Sequence, residues 1–325
     1  MSGKGNKKLT VLMVSYNTRE LTVSAIRSVL ATTSSELVEI LVYDNASTDG
    51  SADAISSIFP EICLIRGAEN IGFAAANNCL AQMVETEWML LLNPDTEVYP
   101  GAITNLLKFA EEYPEFGIYG GRTVFPDGTL NVASCWMAMT PRSLLFSAVG
   151  LSRLFKSSPF FNYEEIGGWR RDTVKNVDIV VGCFMLVSTS LWRRLGGFDQ
   201  AFFMYGEEAD FCLRAKEIGY RPAITPDAEI MHLVGASSKE RSDKIIRLAA
   251  AKVSLVRRHW EPGTAELGIF LIRLWVLVRF LSFSVLALVF GDRYAKKRSE
   301  WGAVWKARSH WAGGYELGNR IKGSF

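Results

Sequence analysis

Residues 37–50 read LVEILVYDNASTDG, an apolar run that stops abruptly on a series of Asp, Asn, Ser, Thr and Gly. Leu37 to Tyr43 has the length and near-continuous hydrophobicity of a parallel strand buried on both faces, and the polar residues after it mark a loop at its carboxyl end. The same pattern recurs on either side. Leu9 to Ser15 (LTVLMVS) is a strand ending at Tyr16-Asn17, and Ile62 to Arg66 and Trp88 to Leu92 are two more. Helical segments separate them: Arg19 to Ala31, with Leu21, Ile26, Val29 and Leu30 at helical spacing, then Asp49 to Ile58, Ile71 to Glu85 and, after Pro100, Ile103 to Glu112. Strands and helices in alternation predict a doubly wound α/β sheet with its ligand loops at the strand ends.

Beyond a strand near Gly117 to Gly120 the pattern loosens. Residues 126–176 show no period and are rich in Phe, Trp, Ser and Arg, which reads as a long irregular segment with a functional purpose. Asp178 to Ser188 is a buried strand interrupted by Gly182, and Asp210 to Gly219 a helix stopped by its glycine. Ser242 to Trp260 is an amphipathic helix with Ile245, Leu248, Ala249, Val253 and Val256 on one side. The expected organisation is a domain over residues 1–260, in two halves (8–125 and 126–260), followed by an extension over 261–325.

That extension differs in kind. Leu267 to Phe290 is apolar apart from Arg273, Arg279, Ser282 and Ser284, and Arg293, Lys296, Lys297 and Arg298 follow at once. A spanning helix needs ~20 apolar residues, and an Arg at its centre costs about 2.5–3.5 kcal/mol. The pattern therefore favours a helix lying in or on a membrane, with a span and a buried or oligomer-forming helix as alternatives; the cations suit an anionic cytoplasmic leaflet. The N-terminal MSGKGNKK lacks the apolar stretch of a secretory signal, so the chemistry is expected on the cytoplasmic side. Cys63, Cys79, Cys135, Cys183 and Cys212 are scattered and form no CxxC pair, as for thiols in a reducing compartment. A net charge of +2 over 325 residues gives no case for nucleic acid.

Chemistry concentrates in the loops. Four clusters stand at strand ends: Val14-Ser15-Tyr16-Asn17; Asp44-Asn45-Ala46-Ser47; Asn70-Ile71-Gly72-Phe73 with Asn77-Asn78; and Asn93-Pro94-Asp95. Each alone reads as a turn. Together on one sheet they supply amides and carboxylates suited to a base edge and ribose hydroxyls, Asn93 among them. Asp95 is placed to hold a divalent cation, since Mg²⁺ and Mn²⁺ bridge carboxylates to phosphates. Farther on, Glu207, Glu208 and Asp210 crowd a helix start, where repulsion and burial tune a general base. His232 is one of only three histidines and reads as either structural or ligating.

These clusters, in this order, resemble the family-two inverting glycosyltransferases, particularly rhamnosyltransferase-like bacterial members that build cell-surface polysaccharides. The likeness covers roughly residues 8–260 and rests on VSYN from Val14, YDNASTDGS from Tyr43, ENIGFAAANN from Glu69, LLNPDTEV from Leu91, GGFDQAFFMYGEEADFCLRA from Gly196, and His232. It implies a GT-A fold, a doubly wound mixed sheet binding a nucleotide-sugar, with a C-terminal helical, membrane-associating extension. It further implies a dTDP- or UDP-sugar donor, Mg²⁺ or Mn²⁺, and a saccharide or lipid-linked acceptor. Val14, Tyr16, Asp44, Asn45, Ser47, Asn70, Gly72, Asn78 and Asn93 would then bind the donor. Asn93-Pro94-Asp95 stands where the family carries its DXD motif, leaving Asp95, with His232, as metal ligands. Glu208 stands where the catalytic base is normally Asp, with Asp210 second and Glu207 as a positioning group.

The resemblance points to L-rhamnose from dTDP-rhamnose, with another hexosyl or galactosyl donor carried on UDP as the alternative. Enzyme action is expected at the cytoplasmic side of a membrane, and a homo-oligomer is compatible with the chain. The aromatic residues Trp136, Tyr163 and Trp169 are candidates for stacking on acceptor sugars. A nucleotidyltransferase would need a Gly-rich basic triphosphate loop near the first strand, which VSYNTRE is not. A non-catalytic membrane scaffold would leave the order of Asp95, Glu208 and His232 without a reason.

Overall fold

The computed structural model describes residues 7–233 and 241–315. In chain order its elements are β1 (Leu9–Ser15), α1 (Arg19–Thr32), β2 (Val38–Asp44), α2 (Ser51–Ile58), β3 (Cys63–Arg66), α3 (Phe73–Ala81), β4 (Trp88–Leu92), β5 (Thr96–Val98) and α4 (Ala102–Glu112). Next come β6 (Ile118–Val124), β7 (Leu130–Asn131), β8 (Cys135–Trp136), α5 (Pro141–Val149), α6 (Leu151–Leu154), β9 (Lys175–Asn176), β10 (Ile179–Val180) and β11 (Phe184–Ser188). The chain continues with α7 (Thr189–Leu195), α8 (Glu207–Glu217), β12 (Ala223–His232), α9 (Arg241–His259), α10 (Pro262–Phe290), α11 (Asp292–Lys306) and α12 (Arg308–Trp311).

The main sheet runs β3-β2-β1-β4-β11-β6-β12-β5, with β7 beside β6 and β9 beside β12. Its first four strands are parallel; every residue of β1 and β4 is buried, as in a sheet covered on both faces, while β3 is the partly exposed edge. Helices α2 and α3 lie against this half, α1 packs beside α2 and β5, and α4 lies against β6, β11 and β12; Val11, Ile26, Val42, Ile55, Leu90 and Leu106 share one buried core. From β4 onward the sheet turns mixed: β11 is antiparallel to both β4 and β6. The strand β5 does not stay beside β4. It crosses to the far edge and pairs antiparallel with β12, setting His232 opposite Thr96. That crossing builds the site.

Two readings need correction. Residues 126–176 are not wholly irregular, because α5 lies within them. Thr140 and Ser143 form a reciprocal capping box around Pro141, and Leu144 and Ala148 are buried. The helix is only 9 residues long, too few turns for a periodicity to emerge. The helix expected from Asp210 starts at Glu207, so Glu207, Glu208 and Asp210 all occupy its first turn. The break at Gly182 is as read: β10 ends before it and β11 begins after it.

The chain divides into two compact units. One holds the sheet and comprises residues through Trp136, Arg170–Phe203, and Glu207 onward through β12; the other is helical and comprises Met137–Trp169, Met204–Gly206 and the chain from Arg241. The boundary expected at residue 260 falls inside the helical unit. In that unit Ile245, Ala249, Val253 and Val256 of α9 pack with Ile269, Ile272 and Val276 of α10, and with Trp301 and Trp311. Of the two α10 arginines, Arg273 is exposed, while Arg279 donates to the Ser147 carbonyl. Helix α10 is long and apolar enough to cross a membrane by length and composition.

In the sheet unit, pairing of β12 with β6 shifts register between Thr225 and Glu229. The bulge lays the Ala228 carbonyl over Gly121, where a Cβ would meet that oxygen at 2.0 Å and the Phe184 ring at 2.8 Å. Gly121→Ala therefore forces backbone apart, and we expect a loss of about 3 kcal/mol, the upper end of overpacking costs. A chemical-denaturation midpoint within error of wild type would contradict this.

Candidate active site

Strand ends β1 and β2 deliver their loops side by side, and the loops are laced together. Asn17, in a left-handed conformation (φ 53°), donates its backbone N–H to Ser47 Oγ at 3.0 Å and accepts the Thr48 N–H at 2.8 Å. The Arg19 N–H reaches Asp49 Oδ2 at 3.0 Å. Asp44 accepts the Ser47 N–H through Oδ1, while its buried Oδ2 has no hydrogen-bond partner. Val14 is buried beneath these loops and Tyr16 is 38% exposed above them.

Asn45 and Asn70 tie the second loop to the third. The Asn45 amide donates to Asn70 Oδ1 at 2.9 Å and accepts the Ile71 N–H at 2.9 Å, and Asn70 also accepts the Gly72 N–H. Gly72 (φ 84°) lies so close to residue 203 that a Cβ would sit 2.5 Å from the Phe203 carbonyl oxygen. Asn78 spends both ends of its amide on the backbone of Phe198, at 2.7 and 2.9 Å. These three asparagines therefore fix loop shape.

The crossing of β5 sets the fourth cluster. The Leu233 N–H donates to the Asp95 carbonyl at 3.0 Å, and His232 Nε2 lies 3.3 Å from Asp95 Oδ1. Burial disfavours charge on this imidazole, but Cys183 and the Asp95 carboxylate outweigh it and push the pKa up to about 10. The Asn93 N–H donates to the Cys183 carbonyl at 3.1 Å. One residue before Cys183, Gly182 lies beside Phe73 and Glu208, with its Cβ position 3.9 Å from Glu208 Cβ. One backbone turn thus adjoins both the Asn93-Pro94-Asp95 loop and the acidic helix start.

The three acids at that start have separate surroundings. Asp210 is 1% exposed and accepts from Arg214 Nε at 2.8 Å, while Arg214 also donates to the carbonyls of Leu195 and Gly197. It serves the turn that Asn78 also holds. Glu207 is 4% exposed; burial, with repulsion from Glu208, raises its carboxyl well above the ordinary range. Glu208 is the one of the three that is only half-buried. Arg214 was missed in the sequence, although its spacing of four from Asp210 is the ordinary helical ion-pair signal. The approach of Cys183 to His232 had no such signal.

In the helical unit, residues 204–206 are held on their own account. Tyr205 (φ 70°) and Gly206 (φ 95°) are both left-handed, Tyr315 Oη donates to the Met204 carbonyl at 2.7 Å, and Lys244 lies 6.0 Å from the Tyr205 ring. Of the aromatics expected to face an acceptor, Trp136 lies on β8, while Tyr163 lies 5.9 Å from the Arg142 guanidinium. The Trp169 N–H donates to the Ile166 carbonyl.

Buried polar atoms without partners are rare in folded proteins. Here they include Asp44 Oδ2, Asn93 Oδ1, Glu207 Oε2 and His232 Nδ1, all on residues singled out for chemistry. Among the described residues no three His, Cys, Asp or Glu side chains gather into a closed metal cage. The Asp95 carboxylate and the His232 imidazole, whose Nδ1 has no hydrogen-bond partner, still fit a hard divalent cation that takes its other ligands from phosphate and water.

The Glycosyl transferase family 2 profile matches residues 10–192. An N-acetylglucosaminyl-diphospho-decaprenol L-rhamnosyltransferase of Mycobacterium tuberculosis is 28% identical over 209 residues, 60% of this chain and 66% of the relative. The O-antigen biosynthesis protein RfbC of Myxococcus xanthus is 26% identical over 247 residues, 74% of this chain but 18% of that protein. The chain thus spans just under two thirds of the first relative's length and a small part of the second's. A mannosyltransferase of Pyrobaculum calidifontis, solved with GDP-Man and Mn²⁺, superposes with a TM-score of 0.58 at 17% identity, covering 94% of this chain and 87% of that one. The strand order, the ordered loop motifs and the family match agree: the chain belongs to glycosyl transferase family 2 and has a GT-A fold.

Proposed function

We propose that this chain is a metal-dependent inverting glycosyltransferase that moves L-rhamnose from dTDP-rhamnose to a hydroxyl of a saccharide or lipid-linked acceptor, at the cytoplasmic surface of a membrane. The observation that carries the reading is the adjacency of Asp95 and His232 to a turn that also touches Glu208. The rhamnosyl donor and lipid-linked acceptor are favoured by the mycobacterial relative, whose name specifies both a rhamnosyl group and a polyprenyl-linked sugar.

Asp44, with its free buried oxygen, reads the nucleotide base, in a pocket shaped by Val14, Tyr16, Asn45, Ser47, Asn70 and Gly72. Asn93 Oδ1 accepts from a ribose hydroxyl. Asp95 and His232 would hold the cation, whose charge offsets that of the diphosphate leaving group. Glu208 takes the proton from the acceptor hydroxyl as its oxygen attacks the anomeric carbon, and the bond from that carbon to the phosphate oxygen breaks on the opposite face. The bond of Asp210 to Arg214 favours Glu208 over it as the base. Burial and the neighbouring Glu208 raise the Glu207 carboxyl and so favour its neutral form, which adds no negative charge beside a diphosphate.

A panel of dTDP-rhamnose, UDP-galactose and UDP-glucose with lipid-linked acceptors, in Mg²⁺ or Mn²⁺, tests the donor and the enzyme together. Turnover only with a UDP-sugar would replace rhamnose, and no response to any nucleotide-sugar would favour a non-catalytic scaffold. Glu208→Gln should lower transfer by about 10²–10⁴-fold, the usual worth of a general base, while leaving donor affinity intact. Unimpaired turnover in that variant would remove Glu208 from the role. Asp95→Ala should weaken donor binding in the presence of metal and much less in its absence, measured by calorimetric titration.

Glu207 has a distinct pH signature. Its folded pKa is raised, so as pH climbs past the ordinary Glu value the unfolded chain releases this proton first and folding weakens until the folded value is reached. Glu207→Gln lacks that loss. Its melting temperature should match wild type near pH 4 and exceed it increasingly toward pH 8; a constant offset across that range would show Glu207 ionised in the fold.

A further inference from the structure

The helical unit carries an exposed apolar end that its own core does not account for. Helices α10 and α11 form an antiparallel hairpin joined by Gly291 alone. Trp275 meets Trp301 edge-on at 5.2 Å, Phe280 lies against Gly302, and Phe283 and Phe290 each lie beside Tyr294. The root of the hairpin is core, from Ala265 to Val276 and at Trp301 and Val304. Its end is not. Val285, Leu288, Val289 and Phe290 are 58%, 80%, 67% and 58% exposed. Directly after the turn come Arg293, Lys296, Lys297 and Arg298, all exposed, with Asp292 as the lone acid among them. The Lys297 ammonium lies 5.6 Å from the Phe283 ring, two turns back from the apolar end.

We infer that the α10–α11 hairpin end is a monotopic anchor for an anionic bilayer, its apolar residues seated at the acyl boundary and its cations among lipid phosphates. This rests on the membrane-surface placement proposed above and specifies the element, the lipid charge and the depth. A contiguous apolar end ringed by cations is the complement of such an interface, where each Lys or Arg adds attraction. The same geometry argues against a span. One face of α10 through Val276 (Ala265, Ile269, Leu271, Ile272 and Val276) is buried in the protein core, and residues 277–290 rise only about 21 Å at ~1.5 Å each, short of a ~30 Å hydrocarbon layer. Arg279 interrupts even that stretch and is already bonded to the Ser147 carbonyl.

The test is flotation of the full chain with vesicles of phosphatidylcholine alone or of equal parts phosphatidylcholine and phosphatidylglycerol. Wild type should float with the anionic vesicles and leave them in alkaline carbonate. Leu288→Glu with Val289→Glu should cut the bound fraction at least about tenfold, and Lys296→Glu with Lys297→Glu should do so on anionic vesicles. Phe270→Glu, at an exposed apolar position (59%) on the root of α10, should bind as wild type. All four residues at the end are exposed, so donor binding in solution should be unchanged and will report any misfolding. Equal loss with Phe270→Glu, retention after carbonate, or unimpaired flotation of the end variants would overturn the hairpin anchor while leaving a membrane-surface enzyme standing. Wild type that floats with neither vesicle would overturn both.

Discussion

The catalytic half of this protein depends on one strand pairing. If β5 remained beside β4, Asp95 would end a parallel strand with no imidazole near it. By crossing to β12 it lines Thr96 up with His232, and the Leu233 N–H closes on the Asp95 carbonyl. Backbone hydrogen bonds, which are obligatory once buried, thereby fix the spacing of two side chains 137 positions apart in sequence. A carboxylate held that way needs no ligand to bring it into position, and the cost of ordering it is met during folding.

The parallel half of the fold was legible because its signal is local. Four apolar runs, each ending in a polar loop, announce buried strands, and β1 and β4 carry the residues read for them. What could not be read was long-range pairing. Nothing in Thr96–Val98 says that it seeks the far edge of the sheet, and nothing near Asn78 says that its amide will be consumed by Phe198. Helix α5 escaped notice because nine residues give two and a half turns, although its Thr140-Pro141 start was there to be seen.

The acids at the start of α8 show how position in a helix does not determine role. All three share a first turn and therefore the same favourable end of the helix dipole. Asp210 nonetheless meets a guanidinium, Glu207 is buried beside Glu208, and Glu208 is itself half-buried. Spacing in sequence placed them together, and only packing separated them. Glu208 alone of the three stands beside Gly182, the residue before Cys183.

The division of the chain into units has a bearing on how such a protein can change over evolutionary time. The helical unit is assembled from three stretches, one of them the short Met204–Gly206 run just ahead of the acidic helix, and Tyr315 holds that run from 111 positions further along the chain. A region threaded in this way is not a cassette in sequence: its stretches alternate along the chain with those of the sheet unit, so an exchange of the whole region would have to preserve every crossing between them.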